Sequence, residues 1–144
     1  MKKRPNPWNP ERKRGYADPS RKSNAFYNQN RWKTASRRWR DNHPECSVVT
    51  CRELVSTVTG QRRRGGTDHI IPIEQGGAGF DKRNYQSLCT SHHAKKSLLE
   101  ARYVVLYESE HNEKGNLIPI RDDEGRLIPI LGRGGEFLYK MSRW

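Results

Sequence analysis

Apolar residues fall in short, separated runs along this chain. In "NRWKTASRRWRDNHPEC", Trp32, Ala35 and Trp39 recur at spacings of three and four, which predicts a short helix ending near Pro44. Its tryptophans would pack on a core while Lys33, Arg37, Arg38 and Arg40 supply positive charge. "ELVSTVT", rich in β-branched residues, reads as a strand or ordered loop, "TDHIIPI" as a strand and "YQSLC" as a short extended piece. Between the last two, "EQGGAGFDKRN" has the glycine content of a loop, long for a plain hairpin and therefore suggestive of a functional role. "SHHAKKSLLEAR" predicts a helix with Ala94, Leu98 and Ala101 near one face. Further on, "KGNLIPI" and "EGRLIPI" repeat around the polar turn "RDDEG", as expected of a hairpin. The proline at the third position of each "LIPI" favours edge strands, and such a hairpin needs a core or a partner to pack on.

Composition limits what these elements can build. With 144 residues, 32% of them hydrophobic and 31% charged, the chain suits one domain with extensions and excludes one large continuous core. Residues 1–30 are rich in Pro, Asn, Lys and Arg and read as a basic, flexible N-terminal arm. Residues 31–100 read as the domain, and 101–144 as a C-terminal extension. The formal charge is +12, and it is unevenly placed. Residues 1–66 carry 17 Lys and Arg against 5 Asp and Glu, whereas residues 67–144 carry 11 of each.

A basic segment of this size attracts polyanions through counterion release, and arginine suits phosphate because its planar fork donates in pairs. Nucleic acid is the leading partner; a solvated basic tail and an anchor for an anionic membrane surface are the alternatives. No apolar run approaches the roughly 20 residues that span a bilayer, and "MKKRPNPWNP" lacks the apolar stretch of a secretory signal. The expectation is an intracellular, cytoplasmic protein.

Cys46, Cys51 and Cys89 cannot all pair with one another. In a reducing compartment such cysteines bind metal, catalyse or simply pack. Four residues separate Cys46 from Cys51, and His92 follows Cys89 by three, so the four side chains offer a Cys3His set able to close a tetrahedral zinc site. Metal binding there would supply folding free energy that a small polar core cannot.

The ordered pieces "HPEC....C", "DHIIPIEQGG", "DKRNYQSLC" and "SHHAKKSLLE" together resemble the HNH endonuclease family, particularly its phage and prophage branch, over roughly residues 26–100. The resemblance implies an α+β chain with a small ββα-metal (His-Me finger) core, a structural zinc knuckle, a basic N-terminal arm and helix, and a C-terminal hairpin extension. It implies that Asp68 and His93 ligate one catalytic divalent cation (Mg²⁺, Mn²⁺, Ni²⁺ or Zn²⁺). His69 would be the general base, and Asn84 would hold the loop and the base in position. These roles suit phosphodiester hydrolysis, which needs an activated water, a cation at the phosphate and an oriented base. Strand alternation would send Asp68 and His69 to opposite sides.

Adjacent residues on a helix point about 100° apart, so His92 and His93 are suited to serving two different ions. The family pattern usually has Cys-His at this dipeptide, where this chain has His92-His93, and commonly Cys-x2-Cys, where this chain has Cys46-x4-Cys51. With those departures, the resemblance assigns Cys46, Cys51, Cys89 and His92 to a structural Zn²⁺. Lys96 lies one helical turn from His93 and could meet a phosphate or stand in solvent. Arg62, Arg63 and Arg64, like Arg37 and Arg38, are candidates for the nucleic-acid backbone.

Two functions of different class follow. The first is a metal-dependent DNA endonuclease, nicking or cutting both strands, as a monomer or a homodimer. By resemblance, a phage origin would place it in the bacterial host cytoplasm and add the phage terminase as a partner. The second is a zinc-stabilised nucleic-acid-binding module without cleavage. Charge alone does not separate DNA from RNA.

Overall fold

In a computed structural model, residues 22–48, 50, 51, 53–55, 65–102 and 105–135 are described. They form a small mixed α+β unit. Helices α1 (Lys22–Tyr27) and α2 (Asn30–Asn42) lead to strand β1 (Gly65–His69), and strand β2 (Tyr85–Cys89) runs directly into helix α3 (Thr90–Arg102). Two short strands, β3 (Ser109–His111) and β4 (Leu117–Pro119), follow. β1 pairs antiparallel with β2 in the register Gly65↔Cys89 to His69↔Tyr85, and β3 pairs antiparallel with β4.

The helix expected around Trp32 is present, and it packs through Trp32, which is buried, and Trp39, which meets Tyr85 at 5.7 Å between rings. β1 stops at His69, four residues short of the expected "TDHIIPI" strand. The reason is Asn84, whose side chain takes both Ile71 N–H (2.8 Å) and Ile71 C=O (3.0 Å) in place of a neighbouring strand. Of "ELVSTVT", Leu54 makes an isolated bridge to Glu45; residues 56–59 lie outside the described residues, as does most of the basic arm.

Two expectations need correction. The arm does not run to residue 30, because Lys22–Tyr27 is helical and its two aromatic rings are held by others: Phe26 packs on Phe80 at 4.9 Å and Tyr27 on Trp32 at 5.7 Å. An average over the thirty residues of a mostly polar segment hid that pair. The face of α3 bearing Ala94, Leu98 and Ala101 is exposed, with Leu98 71% accessible. α3 packs instead through buried Lys96 and half-buried Leu99.

The interior is divided. One apolar cluster joins Ile70, Leu106, Tyr107 and Leu127; the other joins Val48, Val55 and Leu88 with the three cysteines. The C-terminal repeat contributes Leu127 to the first. Ile118 and Leu127 are 2% accessible, so each "LIPI" segment contributes a buried side chain to this chain's own interior. The "RDDEG" turn forms as expected, closed by the Arg121↔Leu127 bridge. Leu117 pairs by main chain with Gly76 and Ala78, so the extension buttresses the β1–β2 loop. Among the described residues, no helix is long and apolar enough to cross a membrane.

Candidate functional site

The loop from Ile70 to Asn84 is set by one buried side chain. Besides its two bonds to Ile71, Asn84 donates to Ala78 C=O at 2.9 Å, closing both ends of the loop on itself. Gly77 permits that closure, since a Cβ there would lie 1.8 Å from Ile71 O. Gly79 is covered by the Phe26 ring, which a Cβ would meet at 2.5 Å. The loop thereby presents Gly79 C=O to His69.

His69 is 3% accessible and boxed by aromatic rings, with Trp32 stacked on it at 4.3 Å and Phe26, Tyr27 and Tyr85 around it. Its Nε2 is 3.1 Å from Gly79 O. A carbonyl only accepts, so Nε2 carries the proton and Nδ1 has the free lone pair. The Tyr27 hydroxyl donates to that lone pair at 3.2 Å. Burial lowers the His69 pKa, which keeps the ring neutral near pH 7 and able to accept a proton.

Asp68 points to the other side of β1, as strand alternation requires. Its Oδ2 accepts from Gln86 Nε2 at 2.8 Å, the residue opposite it in the β1–β2 register, and from Lys96 Nζ at 3.0 Å. Its Oδ1 is left facing His93 Nε2 at 3.6 Å. Two ligands each about 2.1 Å from one ion stand about 3.0–3.5 Å apart, so this oxygen and nitrogen are spaced to share a cation. They line a pocket of about 170 Å³ that also holds Tyr27, His69, Glu74 and Glu100. Three of its walls are carboxylates.

Lys96 departs from both sequence-based expectations. It is 1% accessible and bonded to Asp68, Glu100 and His69 C=O (3.0 Å). Burial alone would favour its neutral form; Asp68 and Glu100 outweigh that and hold its pKa above the ordinary lysine value. Burial raises the Glu100 carboxyl against the opposing pull of Lys96. One ammonium therefore serves two carboxylates.

On the opposite face of α3's first turn, His92 turns toward the cysteines. Sγ of Cys46, Cys51 and Cys89 and a nitrogen of His92 all lie within 4.8 Å of one another. Cys51 Sγ is 3.8 Å from Cys89 Sγ, and His92 Nδ1 is 3.5 Å from Cys46 Sγ and 3.2 Å from Cys89 Sγ. A tetrahedral site with Zn–S near 2.3 Å and Zn–N near 2.05 Å has edges of about 3.8 Å (S···S) and about 3.6 Å (S···N). The four residues could hold a metal such as zinc. Burial pushes the Cys46 thiol up to about 12 and raises Cys89 as well, so a bound cation is what would make thiolates tenable there.

The cations read from sequence distribute differently. Arg62, Arg63 and Arg64 lie outside the described residues. Arg37 and Arg38 are exposed, and Arg38 lines a groove of about 530 Å³ with Arg31 and Lys82, on the side of α2 facing Phe80. Sequence reasoning missed Tyr27 and Gln86 at the site. Gln86 was legible once Asp68↔Gln86 register was drawn; no local pattern marks Tyr27.

Compared with known proteins, the chain matches no family model, no curated protein and no solved structure.

Proposed function

We propose that the chain is a metal-dependent endonuclease of the HNH type, hydrolysing phosphodiester bonds in DNA, with a zinc-stapled ββα-metal core. The observation that carries this reading is the opposed pair on β1. Asp68 presents an oxygen to His93, while neighbouring His69 presents a neutral, tautomer-fixed imidazole to the same pocket. A divalent cation held by Asp68 and His93 would neutralise charge gathering on the phosphate and the leaving oxygen.

The chain's own residues do the rest. His69 takes the proton of the attacking water at Nδ1, with Gly79 C=O holding the ring by Nε2–H. Asn84 fixes the loop that carries Gly79, and Gln86 and Lys96 fix Asp68 by its other oxygen. Cys46, Cys51, Cys89 and His92 take a structural zinc that ties the segment after α2 to the start of α3. The one-ion site would cut both strands only as a dimer or in two visits.

The test is cleavage of supercoiled plasmid by metal-stripped, zinc-restored protein with Mg²⁺, Mn²⁺ or Ni²⁺ added, beside His69→Ala. The variant should bind DNA and fold like the native chain while cleaving roughly 10²–10⁴-fold more slowly. If neither protein cuts under any cation and both bind in a salt-sensitive way, the zinc-stabilised binding module replaces the enzyme.

A further inference from the structure

Beside the candidate catalytic pocket lies a second one, of about 380 Å³, with Tyr27 as their common wall. It is lined by Lys33, Ser36 and Arg40 of α2 together with Trp32, Gly66 and Thr67. Positions 33, 36 and 40 share one helical face, and the floor is tied in place. Thr67 Oγ1 donates to Ser36 C=O at 2.8 Å, joining β1 to α2, and Arg40 Nη1 donates to Ser36 Oγ. Among the described residues, none that lines it is acidic.

The two pockets therefore sort charge. The catalytic one gathers Asp68, Glu74 and Glu100 and invites a cation; its neighbour gathers Lys33 and Arg40 and invites an anion. A strand with its scissile phosphate at the first must carry an adjoining phosphate past Tyr27. We infer that Lys33 and Arg40 form a subsite for a backbone phosphate of DNA flanking the bond to be cut, an inference that rests on the endonuclease reading. Arg40, already oriented by Ser36, offers a planar fork, and exposed Lys33 adds a point charge at the mouth. Arg37 and Arg38, the conspicuous arginine pair, do not line this pocket.

The experiment measures binding of the zinc-loaded full chain, carrying His69→Ala so that substrate stays intact, to a labelled duplex. A single neutral methylphosphonate is walked along one strand. Lys33→Met and Arg40→Met should each weaken binding to the unmodified duplex roughly tenfold at low salt and flatten the salt dependence by about one ion. On the duplex neutralised at the phosphate they hold, that loss should disappear. Lys33→Met is a surface change, so its result stands even where Arg40→Met perturbs folding.

Additive losses at every methylphosphonate position, or losses no larger than those of Lys114→Met on the β3–β4 turn, overturn the subsite. Failure of the enzyme reading looks different: plasmid stays uncut by chains with His69 intact, while the coupling between Lys33 and one phosphate persists. A native chain that cuts, with Lys33→Met cutting and binding equally well, sinks the subsite alone.

Discussion

The Tyr27 hydroxyl stands 3.2 Å from Nδ1 of His69, on the one ring nitrogen left with a lone pair after Nε2 has donated to Gly79. On the endonuclease reading, a water activated by His69 would need that same lone pair, so tyrosine and nucleophile would compete for it. The bond also favours the neutral ring, because a donor on Nδ1 is lost when Nδ1 is protonated. Tyr27→Phe should therefore cleave about two- to tenfold faster, the worth of a typical hydrogen bond of about 0.5–1.5 kcal/mol. The acid limb of kcat/KM should lie below the ordinary imidazole value of about 6.5 in the native chain, because burial lowers the His69 pKa, and should move upward in Tyr27→Phe. A pH–rate series on both proteins reads this. Slower cleavage with an unmoved limb would show that Tyr27 is needed as a wall and does not compete for the base.

The cysteine cluster predicts metal-dependent folding. Cys46 is 0% accessible, so Cys46→Ser leaves a buried hydroxyl among sulfurs, whereas Cys51→Ser alters a half-buried position. The native chain should carry one zinc by elemental analysis and lose cooperative thermal unfolding on chelation. Isolated zinc fingers draw roughly 10 kcal/mol or more from their ion. Cys46→Ser should lose zinc and unfold at lower temperature than Cys51→Ser. Unchanged melting after complete metal removal would mean the thiols merely pack.

How much of this was legible in the sequence depends on the range of the contacts involved. The tryptophan helix follows from local periodicity, YQSLC and the helix after it were legible as elements though not in the face α3 buries, and the Asp68–His69 opposition follows from strand alternation. Lys96 did not. A lysine between two polar residues on a charged helix reads as solvated, and only the fold brings Asp68 within 3.0 Å of it. The same holds for Tyr27, which reaches His69 across 42 residues. For the "LIPI" repeat the sequence left core and partner as equal choices, because nothing local foretells that Leu117 will pair with the main chain of Gly76 and Ala78.

Lys96 yields a stability prediction that separates its role from that of a surface ion pair. Removing one partner of a buried pair typically costs about 3–5 kcal/mol, because the remaining charge is stranded. Lys96→Met should fall in that range by urea denaturation, and adding Glu100→Gln should return part of the loss by removing one of the two orphaned carboxylates. On the endonuclease reading, a cation at Asp68 and His93 should also bind differently in Lys96→Met, since Asp68 Oδ2 is then held by Gln86 alone. Equal stability of Lys96→Met and the native chain would mean that water replaces the ammonium without cost.

Asp81 supplies a pH-dependent contribution outside the pocket. Hydrogen bonding from the Arg83 guanidinium, helped by Asn112, lowers its carboxyl to about 2. The Arg83 bond, with Nη2 at 2.7 Å, is local to the loop before β2, whereas Asn112 Nδ2 at 3.1 Å ties that loop to the β3–β4 turn. An unfolded-chain aspartate titrates near 3.9. Because the folded value is the lower one, the contribution is complete above about pH 4 and is lost as pH falls toward about 2. Arg83 is 52% exposed, so solvent screening keeps the effect small. Asp81→Asn should accordingly melt slightly lower than the native chain at pH 6, and the gap should close by pH 2 to 3 if both remain folded there. A gap that stays constant from pH 6 to pH 2 would trace the loss to the altered turn, where Asp81 Oδ1 also accepts Arg83 N–H at 3.0 Å, rather than to its charge.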